Sequence, residues 1–381
     1  MGYAGEVEWM NEKVGTQRNA LLGFTNSREH WASNGFMHMQ KDGSYKAWWQ
    51  GEDFDGAYEA AIPVEDVHSR MLSWEAQEAD VAVKLYVTEG DYHGQDEGGY
   101  FRWVADNDRK AIVRADNEAI FMYPGRDSYQ MHGYMPVLEQ CGKITDSGEL
   151  GIASAFIMDK GAVFVANMEL PDDITTEQGI THRVKLMVST SMNGRFATQW
   201  KISDEFAVCS NSFNLNLSGK GNEFRVKHTS KSLGKIGDAR NALGLVYKAA
   251  EEYTKFLDAM TKVDVTPANF QAIMDGLFTM PVAQMVNGKV TNQAAITRMD
   301  NKRDQLLTMY ATNPMVKPFH GTLFGAFQAW STWNQHEKPR GDALAAQIIG
   351  DITGKTGEVD AEFFAIVQGL EGLDLSALVA V

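Results

Sequence analysis

The sequence predicts an α+β fold in which an antiparallel β-hairpin sheet packs against a long amphipathic helix, followed by a helical C-terminal part. Short apolar runs separated by turn residues dominate residues 111–210, and from Gly237 onward apolar residues recur at spacings of three and four. Composition sets the scale. A chain of 381 residues with 44% hydrophobic and 22% charged side chains is globular in type and long enough to bury a large core.

The elements follow in chain order. Pro63 opens a helix near Val64–Glu75, with Val67, Met71 and Trp74 at helical spacing. Glu89–Gly99 is polar and glycine-rich and reads as a loop. Ala111–Arg114 and Ala119–Tyr123 are strands around an Asp116-Asn117 turn, and Ala153–Met158 and Ala162–Met168 form a hairpin around Asp159-Lys160-Gly161. In Arg183–Ser189, Val184, Leu186 and Val188 alternate with Arg183, Lys185 and Met187. Asn193-Gly194 then turns the chain into a return strand bearing Phe196, Trp200 and Ile202. Phe206–Ser210 continues as a short buried strand.

Beyond it, Leu243, Val246, Tyr247, Ala250, Tyr253, Leu257 and Met260 mark one face of a long helix that Asp238 is placed to cap. Thr261–Pro267 breaks that helix. Leu323–Gln335 is a further helix, with a stripe of Leu323, Phe327 and Trp330, and the apolar tail Leu373–Val381 is suited to docking on the core or on a neighbouring subunit. The expected organisation is an acidic mixed region at 1–100, the sheet with its long helix at 101–262, and a helical region at 263–381.

Several classes are excluded or disfavoured. No apolar run approaches the roughly 20 residues that span a bilayer, so no membrane partner is expected. The N-terminus has neither a basic start nor an apolar stretch of secretory type, and Glu6 stands where a myristoylation signal needs Ser or Thr. Cys141 and Cys209 read as reduced thiols in a cytosolic setting, with Cys209 either a small buried hydrophobe or a nucleophile. Gly350-Asp-Ile-Thr-Gly354-Lys355-Thr356 is one residue short of a phosphate loop and reads as a chance match. Neither zinc spacing among the nine histidines nor a nucleophile elbow is present. No catalytic residue, metal or cofactor is nominated, and enzymatic activity is not expected.

Charge is more informative. The formal net charge is −15, yet residues 1–150 hold 13 Lys+Arg against 26 Asp+Glu, while residues 181–262 hold 13 against 7. The basic excess peaks at Lys220, Arg225, Lys227, Lys231, Lys235 and Arg240, with His228, in a stretch rich in Gly and Ser. Such cations neutralise phosphates irrespective of sequence. Trp200, Phe206, Phe213 and Phe224 lie in the adjoining strands, where exposed rings would stack on bases and buried ones would be core.

The run from Arg109 to Arg240 resembles the uncharacterised phage/plasmid-like protein family, a domain of unknown function. The matching pieces are Lys110–Asp116, Glu149–Gly161 leading to Val163–Leu170, Val184–Gly194, Phe206–Leu217 and Arg225–Thr229. His320–His336 is similar to the family's C-terminal helix, so the resemblance covers roughly residues 100–340. Where the family has a His-Asp-Gly turn, this chain has Met192-Asn193-Gly194, and any role for a histidine there is lost. The tail after Gly341 matches poorly. The resemblance implies a mobile-element protein of the bacterial cytoplasm.

The leading expectation is a single-stranded DNA-binding or annealing protein of replication or recombination. It would use Lys220, Arg225, Lys227, His228, Lys231, Lys235 and Arg240, and act as a homo-oligomer. The alternatives are an acidic DNA mimic or host-protein binder acting through the N-terminal region, and a metal-dependent DNA-processing enzyme.

Overall fold

The computed structural model describes residues 61–146, 148, 150–206, 212–213, 223–229, 242–337 and 349–379, with four short strands among the first sixty residues. Those four are β1 (Ala20–Thr25), β2 (His38–Met39), β3 (Tyr45–Lys46) and β4 (Ala57–Tyr58). Helix α1 (Val64–Met71) starts at Pro63 as the sequence predicts but stops at Leu72, short of Glu75. Trp74, expected on that helix, instead donates its indole N–H to Met71 O at 3.0 Å and lies under the Arg114 guanidinium, 4.3 Å from the ring centroid.

Next comes an antiparallel ribbon that sequence periodicity did not reveal. β5 (Ala76–Tyr86) pairs with β7 (Gly99–Arg114) along its whole length. β6 (Gly94–Asp96) and β8 (Ile120–Met122) add to β7, so the glycine-rich loop is the tip of an arm. The strand expected at Ala111–Arg114 is the largely buried C-terminal end of β7. Helix α2 (Tyr134–Thr145) then carries Cys141, fully buried and free, its thiol pushed up to about 12 by burial. Cys209 lies outside the described residues.

The central sheet contains β9 (Gly151–Met158), β10 (Val163–Glu169), β11 (Ile174–Thr175), β12 (Thr181–Ser191), β13 (Thr198–Phe206), β14 (Ser212–Phe213) and β15 (Glu223–Val226). Its order is β14-β13-β12-β10-β9-β1-β4, with β11 beside β12 and β15 beside β13. All pairs are antiparallel except β1 with β4. The β9–β10 turn holds Asp159, Lys160 and Gly161 at φ of 52°, 61° and 101°. A Cβ on Gly161 would sit 2.8 Å from the Trp74 ring, so this position requires glycine.

Both faces of the sheet are covered, which is why β9, β10 and β12 are buried almost residue by residue. Ile157, Phe164, Leu186, Val188, Trp200 and Ile202 share one face with α1, α2 and α3 (Ala242–Thr261). Val246, Ala250, Tyr253, Leu257 and Met260 of α3 are buried as expected. Tyr247, one residue off that stripe, is 48% exposed. The proposed cap Asp238 is outside the described residues.

The remaining helices are α4 (Pro267–Leu277), α5 (Gln293–Thr312), α6 (Leu323–Thr332), α7 (Lys355–Gln368) and α8 (Ser376–Val379), with the small hairpin β16 (Met285–Val286) and β17 (Lys289–Val290) before α5. Thr266 and Asn269 form a reciprocal capping box at α4. All ten residues of α6 are buried, and a π turn, Trp333–Glu337, extends it. Leu373, Leu375 and Leu378 of the tail pack on the core. None of the described helices is long and apolar enough to cross a membrane.

Candidate nucleic-acid interface

Strand β15 is the described part of the basic segment, and strand geometry sorts its side chains. Thr198 faces Val226 and Gln199 faces Arg225 across the β13–β15 pair. Val226 is 2% exposed, so alternation turns Arg225 and Lys227 away from the helix-covered core, and both are exposed at the sheet edge. His228 follows Val226 inward and is half-buried. Of the seven residues the sequence nominated, Arg225 and Lys227 stand in solvent and His228 does not. Lys220, Lys231, Lys235 and Arg240 lie outside the described residues.

His228 belongs to a polar cluster. Its ring stacks on His132 with centroids 4.0 Å apart, and its Nδ1 lies 3.0 Å from the Tyr129 hydroxyl. Its Nε2 lies 3.3 Å from Thr198 Oγ1, which is 2.7 Å from His132 Nδ1 and 2.7 Å from Thr190 Oγ1. Burial pushes the Tyr129 phenol up to about 12, so that hydroxyl donates. Desolvation, reinforced in His228 by the neighbouring imidazole, lowers His132 to about 4 and His228 to about 3. With Nδ1 accepting from Tyr129, the network assigns the His228 proton to Nε2. Two neutral imidazoles bring no positive charge to the site; with the three hydroxyls they fasten β15 to the loop ahead of α2, as does the Gln130 N–H donated to His228 O at 3.4 Å.

That loop leads to the base of the arm. Arg109 is exposed there and donates to Tyr123 O at 3.4 Å, while the Tyr123 ring is 49% exposed. Arg126 pairs with Asp80 at 2.8 Å, and Lys110 is buried against Glu78 at 2.7 Å and Tyr129 O at 2.9 Å. Of the four rings weighed for base stacking, the structure describes one. Trp200 is 1% exposed because its position on β13 faces α3, and it is core. The side chains of Phe206, Phe213 and Phe224 fall outside what the structure describes. Among the described residues most of the exposed rings, Tyr86, Tyr92, Tyr100 and Trp103, are on the arm, most of whose surface is solvent-exposed.

A second polar site, unanticipated from sequence, lies on the sheet face opposite the helices α1–α3. Arg183 binds Glu169 at 3.0 Å and Asp173 at 2.6 Å, Lys185 stands 3.9 Å from the Asp351 carboxylate, and Lys201 donates to Asp351 O at 2.6 Å. Gln199 donates to Ile352 O at 2.8 Å, and Thr356 to Asp351 Oδ1 at 2.7 Å. The phosphate-loop look-alike is thus a helical turn over residues 349–353, a left-handed Gly354 at φ 84°, and α7. Its Asp351 anchors it to buried lysines. On the other face His182 reaches Asp204 at 2.6 Å and Thr254 at 3.0 Å, but the Thr254 hydroxyl donates to Ala250 O at 2.7 Å. This trio therefore pins α3 to β12 and presents no nucleophile. Among the described residues no three His, Cys, Asp or Glu side chains converge to hold a metal.

No curated protein and no solved structure matches the chain. A family model does, the domain of unknown function DUF932, over residues 125–358. The match takes in β9 to β15, the histidine cluster and α3 to α6. It starts later than the resemblance at residue 100 and runs past residue 340 to include the Asp351 anchor. It covers more than half of the 381 residues, and the chain belongs to this family.

Proposed function

We propose that the protein binds single-stranded nucleic acid along the exposed edge of the sheet at β15, in the setting of a mobile genetic element's replication or recombination. The observation that carries this reading is the outward placement of Arg225, and of Lys227 just after β15, at an edge of the sheet among the described residues, in a segment whose sequence adds Lys220, Lys231, Lys235 and Arg240. The arm base supports it with exposed Arg109 and Tyr123. Affinity of this kind comes from phosphate neutralisation and falls with salt, by about 0.7 in log K per log salt for each phosphate on a single strand.

Fluorescence anisotropy with a labelled oligonucleotide tests the proposal across a salt series. The wild type binds at low salt with a negative slope. Lys227→Glu combined with Lys231→Glu weakens binding by about tenfold or more and flattens the slope by more than one contact. No binding at low salt, or a double variant that binds like wild type, rejects it.

One observation favours a second reading, a basic protein partner for the acidic part of the chain. Glu89, Asp91 and Glu97 stand exposed at the tip of the arm, without an ion-pair partner among the described residues. A basic protein retained by the wild type but released when these three are changed to Gln would favour this reading over the first.

A further inference from the structure

The arm extends from the body as a two-stranded ribbon. Its paired length beyond the irregularity at Asp80/Val81 is Val81–Tyr86 against Phe101–Asp106. Two strands alone are marginally stable in water unless a face is covered. Here the two faces differ. On one, Lys84 lies over the Phe101 ring at 4.0 Å and is ion-paired with Asp96, so a fixed charge sits among the half-exposed Tyr86 and Trp103 rings. On the other, Val83 is 58% exposed, Leu85 43%, Val104 43% and Tyr100 44%, and they form one contiguous strip. Contiguous apolar surface of this kind on a soluble domain marks an interaction face.

The charges on this strip identify its occupant. The register places three pairs in a row: Val81 with Asp106, Val83 with Val104, and Leu85 with Arg102. Arg102 and Asp106 therefore stand symmetrically on either side of Val104. The Arg102 side chain is exposed and makes no hydrogen bond or ion pair with the described residues. Asp106 uses only Oδ1, which accepts the backbone N–H groups of Asp108 at 3.0 Å and Arg109 at 3.2 Å. A two-fold axis perpendicular to the strands through the central row lays the strip on a copy of itself. Valine then meets valine, Leu85 meets Val81, and Arg102 of each copy meets Asp106 of the other. Stacked sheets lie about 10 Å apart, a gap that an Arg and an Asp side chain reaching toward each other can bridge. An isologous contact of this kind closes at two chains.

We propose that the exposed strip of the β5–β7 arm is a self-association surface through which two copies of this chain pair face to face. The inference is independent of nucleic-acid binding. Light scattering on the full chain over a wide concentration range should show conversion from one 42.3 kDa chain to a pair. Val83→Lys with Val104→Lys should hold it at the single-chain mass, with the circular dichroism of the wild type. Arg102→Asp and Asp106→Arg should each raise the dissociation constant about tenfold, since each sets like charges against one another. Together they should restore it, because the swap recreates both cross-pairs. A wild type that stays at the single-chain mass throughout overturns the proposal, whatever else the arm binds. So does an assembly indifferent to the valine changes, or a double charge swap as weak as either single one.

Discussion

At the scale of single residues, the stacked pair His132 and His228 shows how burial sets chemistry. Their imidazoles are held at about 4 and about 3, against 6.5 for a free side chain. Below pH 6.5 the unfolded chain takes up protons that the folded cluster refuses. Stability is therefore complete above that pH and is lost progressively as pH falls toward the folded values. For fully buried His132 the whole window is worth roughly 3 kcal/mol. The side chains in contact with the pair, a neutral Tyr129 and the hydroxyls of Thr198 and Thr190, carry no negative charge to offset two added protons. The urea midpoint is expected to fall between pH 7 and pH 5, and to fall less in a His132→Asn, His228→Gln double variant. An equal fall in both proteins would place the acid sensitivity elsewhere. The sequence reading grouped His228 with the cations around it, and its inward turn shows only once Val226 is seen buried, which commits His228 to the same side. The partners Tyr129, Thr198 and His132 were not legible either, since they come from sites 30 to 99 residues away in sequence.

At the scale of elements, hairpins and helices with one clean face were readable. The β9–β10 turn, the β12–β13 pair and most of the α3 stripe fall where periodicity and turn residues place them. Two elements defeated that logic for opposite reasons. The β5–β7 ribbon has little buried surface along most of its length, so no alternation is selected. β12 has both faces covered, and its apparently polar side carries Arg183 and Lys185 at 4% exposure each. The cover is the segment around Asp351, which sequence spacing alone presented as an incomplete phosphate loop. Removing the Asp351 carboxylate takes one negative charge from beside the buried Lys185 ammonium and frees the Thr356 hydroxyl. Asp351→Ala is expected to cost about 3 kcal/mol in urea unfolding. Asp351→Asn, which keeps an acceptor for Thr356, should cost less. A change within a few tenths of a kcal/mol for Asp351→Ala would mean the anchor is not energetically engaged.

At the scale of the whole molecule, sheet and C-terminal helices share one apolar cluster running from Ile62 through Trp200 and Leu257 to Phe363 and Val367. α6 is the hinge of that arrangement, because every one of its residues is buried between α3, α5 and the aromatic side chains of α7. Phe327 is fully buried there, with its ring 5.4 Å from Phe363 and 5.2 Å from Phe364. Truncating a buried Phe costs about 3–5 kcal/mol, from lost transfer energy and the cavity left behind. In a core that is continuous, that cost is felt wherever the cluster extends. Phe327→Ala should therefore lower hydrogen-exchange protection at Leu186 and Val188 in β12 by a factor similar to that in α6 itself. The comparison is made under conditions in which the most protected amides open by global unfolding. Protection lost in α6 but retained in β12 would show that the helices open independently of the sheet. The nucleic-acid edge at β15 would then rest on the sheet alone.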